Sequence, residues 1–191
     1  LSKENEQLFF RHISNLLKTY AIDVICISGS VNSDDANFHY HLLHFIRSIV
    51  GESFPILMDI SGEQLENCLK QKTVRPSFIK PNTHELEELI GRKIQSIKEL
   101  ITILHDPIFD NVETIMISQG EDGALVKHGT SSYDIQIPKV AVVNTTGCGD
   151  STVGGMAYAI SQGYSIEDSL RYAMACGISN SLFETNGTID K

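Results

Sequence analysis

The feature that most limits the fold of this chain is a repeated alternation. Short apolar runs, closed by Gly, Ser, Asp or Asn, alternate with stretches whose apolar residues recur at helical spacing. Leu8, Phe9, Ile13, Leu16 and Leu17 open the chain as a helix, with Ser2 as its N-cap. Residues 22–27 form a nearly continuous apolar run, the pattern of a strand buried on both faces, and end at Ser28-Gly29-Ser30. A helix is predicted over residues 35–50. A second strand over 54–58 is closed by Asp59, and a short helix covers 63–69. A short strand over 77–79 runs into Lys80-Pro81-Asn82, followed by helices over 85–90 and 96–104. The next strand, 113–117, is closed by Ser118 to Gly123, and 124–127 and 132–137 read as a strand pair. Two helices, reaching residue 162 and then spanning 165–183, complete the chain.

Strands alternating with helices of this length imply right-handed crossovers and a mostly parallel sheet with helices on both faces, an α/β architecture in one domain over residues 1–191. Ligands of such sheets bind beyond the carboxyl ends of the strands. Ser28-Gly29-Ser30, Asp59, Lys80-Pro81-Asn82, the Ser118 loop and the Gly147 to Asp150 turn are all expected on that one edge.

The last of these turns is the most informative chemically. The apolar run Val140 to Val143 feeds Asn144-Thr145-Thr146-Gly147-Cys148-Gly149-Asp150, and this feeds a helix carrying Asp150 in its first turn. A helix start points unpaired N–H groups at one spot and favours negative charge there. A carboxylate in an anion cradle gains little for stability. It is well placed as a base that takes a proton from a hydroxyl attacking a phosphate.

Other motifs have two readings each. Asn82 and Glu85 lie three apart, so one helical turn brings both oxygens to one face, where they suit Mg²⁺; the same spacing fits a capping box. Ser118-Gln119-Gly120-Glu121-Asp122-Gly123 can let backbone approach a nucleotide, or serve as a glycine turn. It matches neither a dinucleotide-binding glycine motif nor a P-loop. His39, His41 and His44 suggest a metal site, but His39 and His41 fall on nearly opposite helix faces, which favours a surface or half-buried helix. Cys148, at a helix start, can be a nucleophile or simply a small residue between two glycines.

Composition narrows the partners. The net charge of −9 and the lack of a Lys/Arg cluster argue against nucleic acid. The chain has no apolar run long enough to span a bilayer, and its first 20 residues read as an amphipathic helix rather than a signal peptide. Four cysteines, Cys26, Cys68, Cys148 and Cys176, lack paired spacing and read as buried free thiols of a reducing cytoplasm.

Taken together, these motifs resemble the ribokinase/PfkB family of carbohydrate kinases. Its Asp-Thr-x-Gly-Ala-Gly-Asp hallmark is matched by Asn144 to Asp150, with Asn144 for the first Asp and Cys148 for Ala. The Asn, with Ser28-Gly29-Ser30, Lys80-Pro81-Asn82, Glu85 and Lys127-His128, is similar to the tagatose-6-phosphate kinase and 1-phosphofructokinase branch. The resemblance implies a ribokinase-like fold and ATP- and Mg²⁺-dependent phosphorylation of a hexose phosphate. Tagatose 6-phosphate is the leading substrate and fructose 1-phosphate the alternative. It makes Asp150 the catalytic base and the amides of Gly147, Cys148 and Gly149 the anion hole. Asn82 and Glu85 would organise the metal, with Lys80, Asn82, Ser118, Gly120 and Gly123 near the nucleotide. Met174, Gly177 and Ile178 would build the adenine pocket, and Ser30 would approach the sugar phosphate. Family members are longer. The resemblance therefore implies that N-terminal strands and a β-lid carrying sugar contacts are absent from these 191 residues, leaving a nucleotide-binding part inactive alone. The full-length form would be cytoplasmic, with a sugar phosphate and ATP as partners and room for a homodimer.

Overall fold

The computed structural model describes residues 1–33, 35–110 and 112–190. The chain runs α1 (Lys3–Thr19), β1 (Ile25–Ser28), α2 (Phe38–Val50), β2 (Ile56–Asp59), α3 (Gly62–Lys70), β3 (Phe78–Ile79), α4 (Thr83–Ile90) and α5 (Ile97–Leu104). It continues with β4 (Thr114–Ser118), β5 (Ala124–His128), β6 (Ser131–Ile135), α6 (Cys148–Ser161) and α7 (Ile166–Ser181). The helix starts are chemically marked. The side chains of Ser2, Asn82, Ser96 and Ser165 accept from the amides of Asn5, Glu85, Glu99 and Asp168, each satisfying an orphan donor.

The six strands lie side by side in chain order. β1 to β4 are parallel, and β5 and β6 extend the sheet antiparallel. The mostly parallel sheet is as expected, with helices on both faces. Period-two alternation sends Ile56, Met58, Ile79, Ile115 and Ile117 to one core, with Leu42, Leu65, Leu86 and Leu100 from α2 to α5. Leu57, Phe78, Met116 and Val126 face the opposite core, against Val153 and Met156 of α6 and Leu170 and Ala173 of α7. No helix among the described residues is long and apolar enough to cross a membrane.

Two expectations need correction. The strand over 22–27 is Ile25–Ser28, and it is not buried on both faces: Cys26 and Ser28 are exposed. β1 ends the strand order and pairs only with β2 among the described residues, so its apolar run reflects one covered face. Cys26 is therefore an exposed thiol, and Cys148 is only partly covered. Cys68 and Cys176 are buried, and desolvation pushes the Cys68 thiol up to about 12. The Val140–Val143 run, read from the sequence as apolar and given no element, forms no strand. Val142 and Val143 are exposed, and the amides of Val143 and Asn144 both donate to the Ser181 carbonyl at the end of α7.

Candidate active site

Parallel strands deliver all their carboxyl ends to one edge, and the first turn of α6 meets them there. Ser28 Oγ, at the end of β1, donates to Asp150 Oδ1 at 3.3 Å. At the end of β2, Asp59 pairs with Lys80 Nζ from the end of β3 at 3.3 Å; Lys80 is only 7% exposed. Asn82 and Ser118 form an isolated parallel bridge that carries the edge on to β4. A Cβ on Gly149 would stand 3.1 Å from Lys80 Nζ and 4.0 Å from Asp59 Oδ2, so the helix start lies directly on this ion pair. Any larger residue at 149 would push the lysine head aside.

The turn leading into α6 is held from behind. Gly147 caps the helix with φ +81, a left-handed conformation that glycine adopts without a Cβ penalty. Asn144 Oδ1 accepts from the Thr146 amide, while its Nδ2 donates to the Glu184 carbonyl and Asn186 Oδ1. Asn180 of α7 is 1% exposed and reaches three segments. Its Nδ2 donates to the Thr146 carbonyl at 2.9 Å and lies 3.4 Å from Cys148 Sγ. Its Oδ1 accepts from Ser151 Oγ at 3.2 Å and from the Gly187 amide at 2.6 Å.

Among the described residues, the amides of Gly147, Gly149 and Asp150 make no hydrogen bond, whereas the Cys148 amide is directed at the Thr145 carbonyl at 3.3 Å. Two of the three amides expected to form an anion hole are thus open, and Asp150 supplies another. These donors sit at a helix start, the arrangement that receives phosphate oxygens.

Asn82 and Glu85 form the capping box in full. Asn82 Oδ1 accepts from the Glu85 amide at 2.9 Å, and Glu85 Oε2 accepts from the Asn82 amide at 2.8 Å. This engages one carboxylate oxygen of Glu85 and leaves the other for a metal or its waters. Asp59, not singled out as a site residue from sequence, adds a carboxylate close enough to feel both Glu85 and Asp150. Carboxylates on the same sheet edge as open phosphate-type donors are chemically suited to Mg²⁺ held with phosphate or through its waters.

The remaining expected site residues fall in several places. Ser30 is exposed at the end of β1, near the edge but without a hydrogen bond among the described residues. Ser118 ends β4, Gly120 opens a short 3₁₀ turn, and a Cβ on Gly123 would collide with the Ile135 carbonyl oxygen. The need for glycine at 123 is therefore met by strand packing. Gly177 is buried where α7 crosses α6, and a Cβ there would strike Thr152 Oγ1. Met174 and Ile178 flank it, half-buried. The three histidines do not gather: His39 is buried, while His41 and His44 are exposed and His41 Nδ1 bonds Asp35 Oδ2 at 2.7 Å. The sequence places Ser28 on this edge without giving it a role, and it does not single out Asn180. Ser28 carried a signal, as the first polar residue after an apolar strand; Asn180 had none, being one amide in a mixed helix.

The pfkB family of carbohydrate kinases matches residues 2–180. The chain belongs to the pfkB family. Its curated relatives include the tagatose-6-phosphate kinase of Staphylococcus epidermidis, 36% identical over 189 residues, which are 98% of this chain and 59% of that protein. This pfkB-family chain therefore spans under two thirds of that relative's length. Phosphofructokinase-2 from Escherichia coli, solved in complex with potassium, superposes with a TM-score of 0.80 at 23% identity, covering 94% of this chain and 58% of that one. Arabidopsis thaliana ribokinase complexed with ribose and ATP gives 0.69 at 17% identity, with 97% and 55% covered. Both solved structures share the ribokinase-like fold expected from the sequence.

Asp59 gives this site a testable pH signature. Burial is the largest influence and raises its carboxyl above the ordinary 3.8; Lys80 opposes the rise, and the negative charges of Asp150 and Glu85 add to it. A value raised in the folded state means that folding favours the protonated acid. The stability it contributes is present at low pH and is lost as pH climbs through the folded-state value. Asp59→Asn cannot ionise. Its thermal midpoint relative to the parent is expected to improve as pH rises from 3.8 and to level off above the folded-state value, measured by calorimetry at matched ionic strength. A difference that moves the other way would mean that the Lys80 pairing outweighs burial.

Proposed function

We propose that the protein, at the length of its relatives, transfers the γ-phosphoryl group of ATP to a hexose phosphate. Tagatose 6-phosphate, converted to tagatose 1,6-bisphosphate, is the leading substrate, and fructose 1-phosphate is the alternative. The observation that carries this reading is the meeting of Asp150 with open helix-start amides at the edge where four parallel strands end. A carboxylate there can take the proton of a sugar hydroxyl. The hydroxyl oxygen then forms a bond to the γ-phosphorus, and the bond from that phosphorus to the bridging oxygen breaks, releasing ADP. The amides of Gly147, Gly149 and Asp150 can receive charge on the transferring group, and Ser28 can orient the base. Lys80 brings a buried positive charge beside the phosphates. Asp59 and Glu85 are the residues that would hold Mg²⁺, which supplies neutralisation of phosphate charge. This division of labour is positioning and electrostatics, as phosphoryl transfer requires.

The tagatose assignment is favoured by the 36% identity to a protein of that name. The test is a coupled assay of ADP release by the relative-length protein with ATP, Mg²⁺ and each sugar phosphate in turn. Higher kcat/KM on tagatose 6-phosphate is expected. Preference for fructose 1-phosphate would move the assignment to the alternative, and turnover of neither would sink it.

A further inference from the structure

The opposite edge of the sheet, at the amino ends of the strands, carries a second polar recess. It has a volume of about 190 Å³, and its lining includes Arg47, Lys72, Arg75, Ser77, Glu52 and Glu113. Arg47 and Arg75 are 4% and 6% exposed. Neither pairs with a carboxylate among the described residues, where the arginine ion pairs belong to Arg92 and Arg171. Buried cations without carboxylate partners call for another source of compensation.

The two guanidiniums differ in how they are used. Arg47 is spent on structure: its three nitrogens donate to the carbonyls of Arg75, Gly51 and Phe54 and to Ser77 Oγ. Arg75 donates from Nη1 alone, to the carbonyls of Cys68 and Leu69 at 3.0 and 2.6 Å, closing the end of α3. Its Nε is buried without a partner, and its Nη2 makes no hydrogen bond among the described residues. Nε is too enclosed for a ligand oxygen to reach, so the donor of Arg75 left for a ligand is Nη2. Burial pushes this guanidinium below its ordinary value, and Asp110 offsets that only in part.

We infer that this recess is an oxyanion site, which takes phosphate or the phosphate group of a small ester on Nη2 of Arg75, with Lys72 at its mouth. Three cations face two carboxylates there, and Glu113 is 66% exposed and leans toward His128 Nε2 at 3.9 Å. Ser77 and Glu113 also border a neighbouring hollow of about 300 Å³, lined in part by Phe78, Thr114, Tyr164 and Ile166. That hollow gives the organic part of an ester both apolar walls and a hydroxyl. The site is separate from Asp150 and rests on no part of the phosphoryl-transfer reading.

The test is an amide-resolved NMR titration of the isotopically labelled 191-residue chain at fixed ionic strength, first with inorganic phosphate and then with glycerol 3-phosphate. Saturable shifts at Lys72, Thr73, Arg75 and Ser77 are expected. Lys72→Glu, on an exposed side chain, should weaken binding about tenfold or more, equivalent to about 1.4 kcal/mol. Arg75→Lys keeps the charge but removes the Nη2 donor, and should weaken it similarly while the thermal midpoint stays within a few degrees. If Arg75→Lys fails to fold, Lys72→Glu decides alone. Tighter binding of glycerol 3-phosphate identifies an ester as the ligand, and equal binding identifies free phosphate. Shifts confined to Gly147–Asp150, no saturable shift, or a Lys72→Glu titration matching the parent would each overturn the inference.

Discussion

If the proposed function holds, Asp150→Asn in the relative-length protein is expected to lower kcat by about 10²–10⁴-fold, the range for loss of a positioned general base. The Michaelis constant for ATP should change little. The substitution keeps the shape of the side chain and its ability to accept from Ser28 Oγ, which lies 3.3 Å from Asp150 Oδ1. What it removes is the capacity to take a proton, which matters only as the sugar hydroxyl attacks. A loss confined to kcat is how an interaction made in the transition state reads out in kinetics. Asparagine also removes a negative charge close to Asp59, whose carboxyl Asp150 helps to hold above its ordinary value. Melting of the variant should therefore show no deficit at neutral pH. Steady-state kinetics with both substrates varied, beside a melting curve, separates the two effects. A rise in the ATP Michaelis constant with kcat intact would assign Asp150 to nucleotide binding instead.

Much of this site was legible because a parallel sheet is a sorting device. Once residues 54–58, 77–79 and 113–117 read as strands joined by helices, Asp59, Lys80 and Ser118 had to reach one edge, and β2, β3 and β4 bring them there. Capping was equally local, so Ser2 and the Asn82–Glu85 pair could be read from spacing. What escaped depended on the third dimension. An apolar run reports that a strand touches a core but not how many faces are covered, so Cys26 was placed inside when it is exposed. Val140 to Val143 carried the composition of a strand and none of its pairing. Its backbone turns instead to the Ser181 carbonyl, a partner 38 residues beyond Val143 that no local pattern announces. Gly123 and Gly177 read as ligand-facing glycines, and what no local pattern announces is that each also packs tightly, against Ile135 and Thr152.

Asn180→Leu is the second substitution expected to have a large effect, since one buried amide holds both loops behind the site. Leucine is close in volume but leaves the Thr146 carbonyl, the Gly187 amide and Ser151 Oγ without their partner. At about 1 kcal/mol for each hydrogen bond lost, and more where the group left behind is buried, stability should fall by about 2–4 kcal/mol. For a chain of this size that lowers the melting midpoint by about 4–16 °C. A purely structural role would stop there. If Asn180 also fixes the path of residues 144–150, kcat measured well below the melt should fall by about 10–100-fold, because displacement by an ångström is enough for such a loss. The decisive comparison is the double variant. A residue that acts through the placement of Asp150 should cost almost nothing further in kcat once Asp150 is asparagine, while its effect on melting persists in full. Rate losses that simply multiply would mean that Asn180 supports the fold and leaves the base where it was.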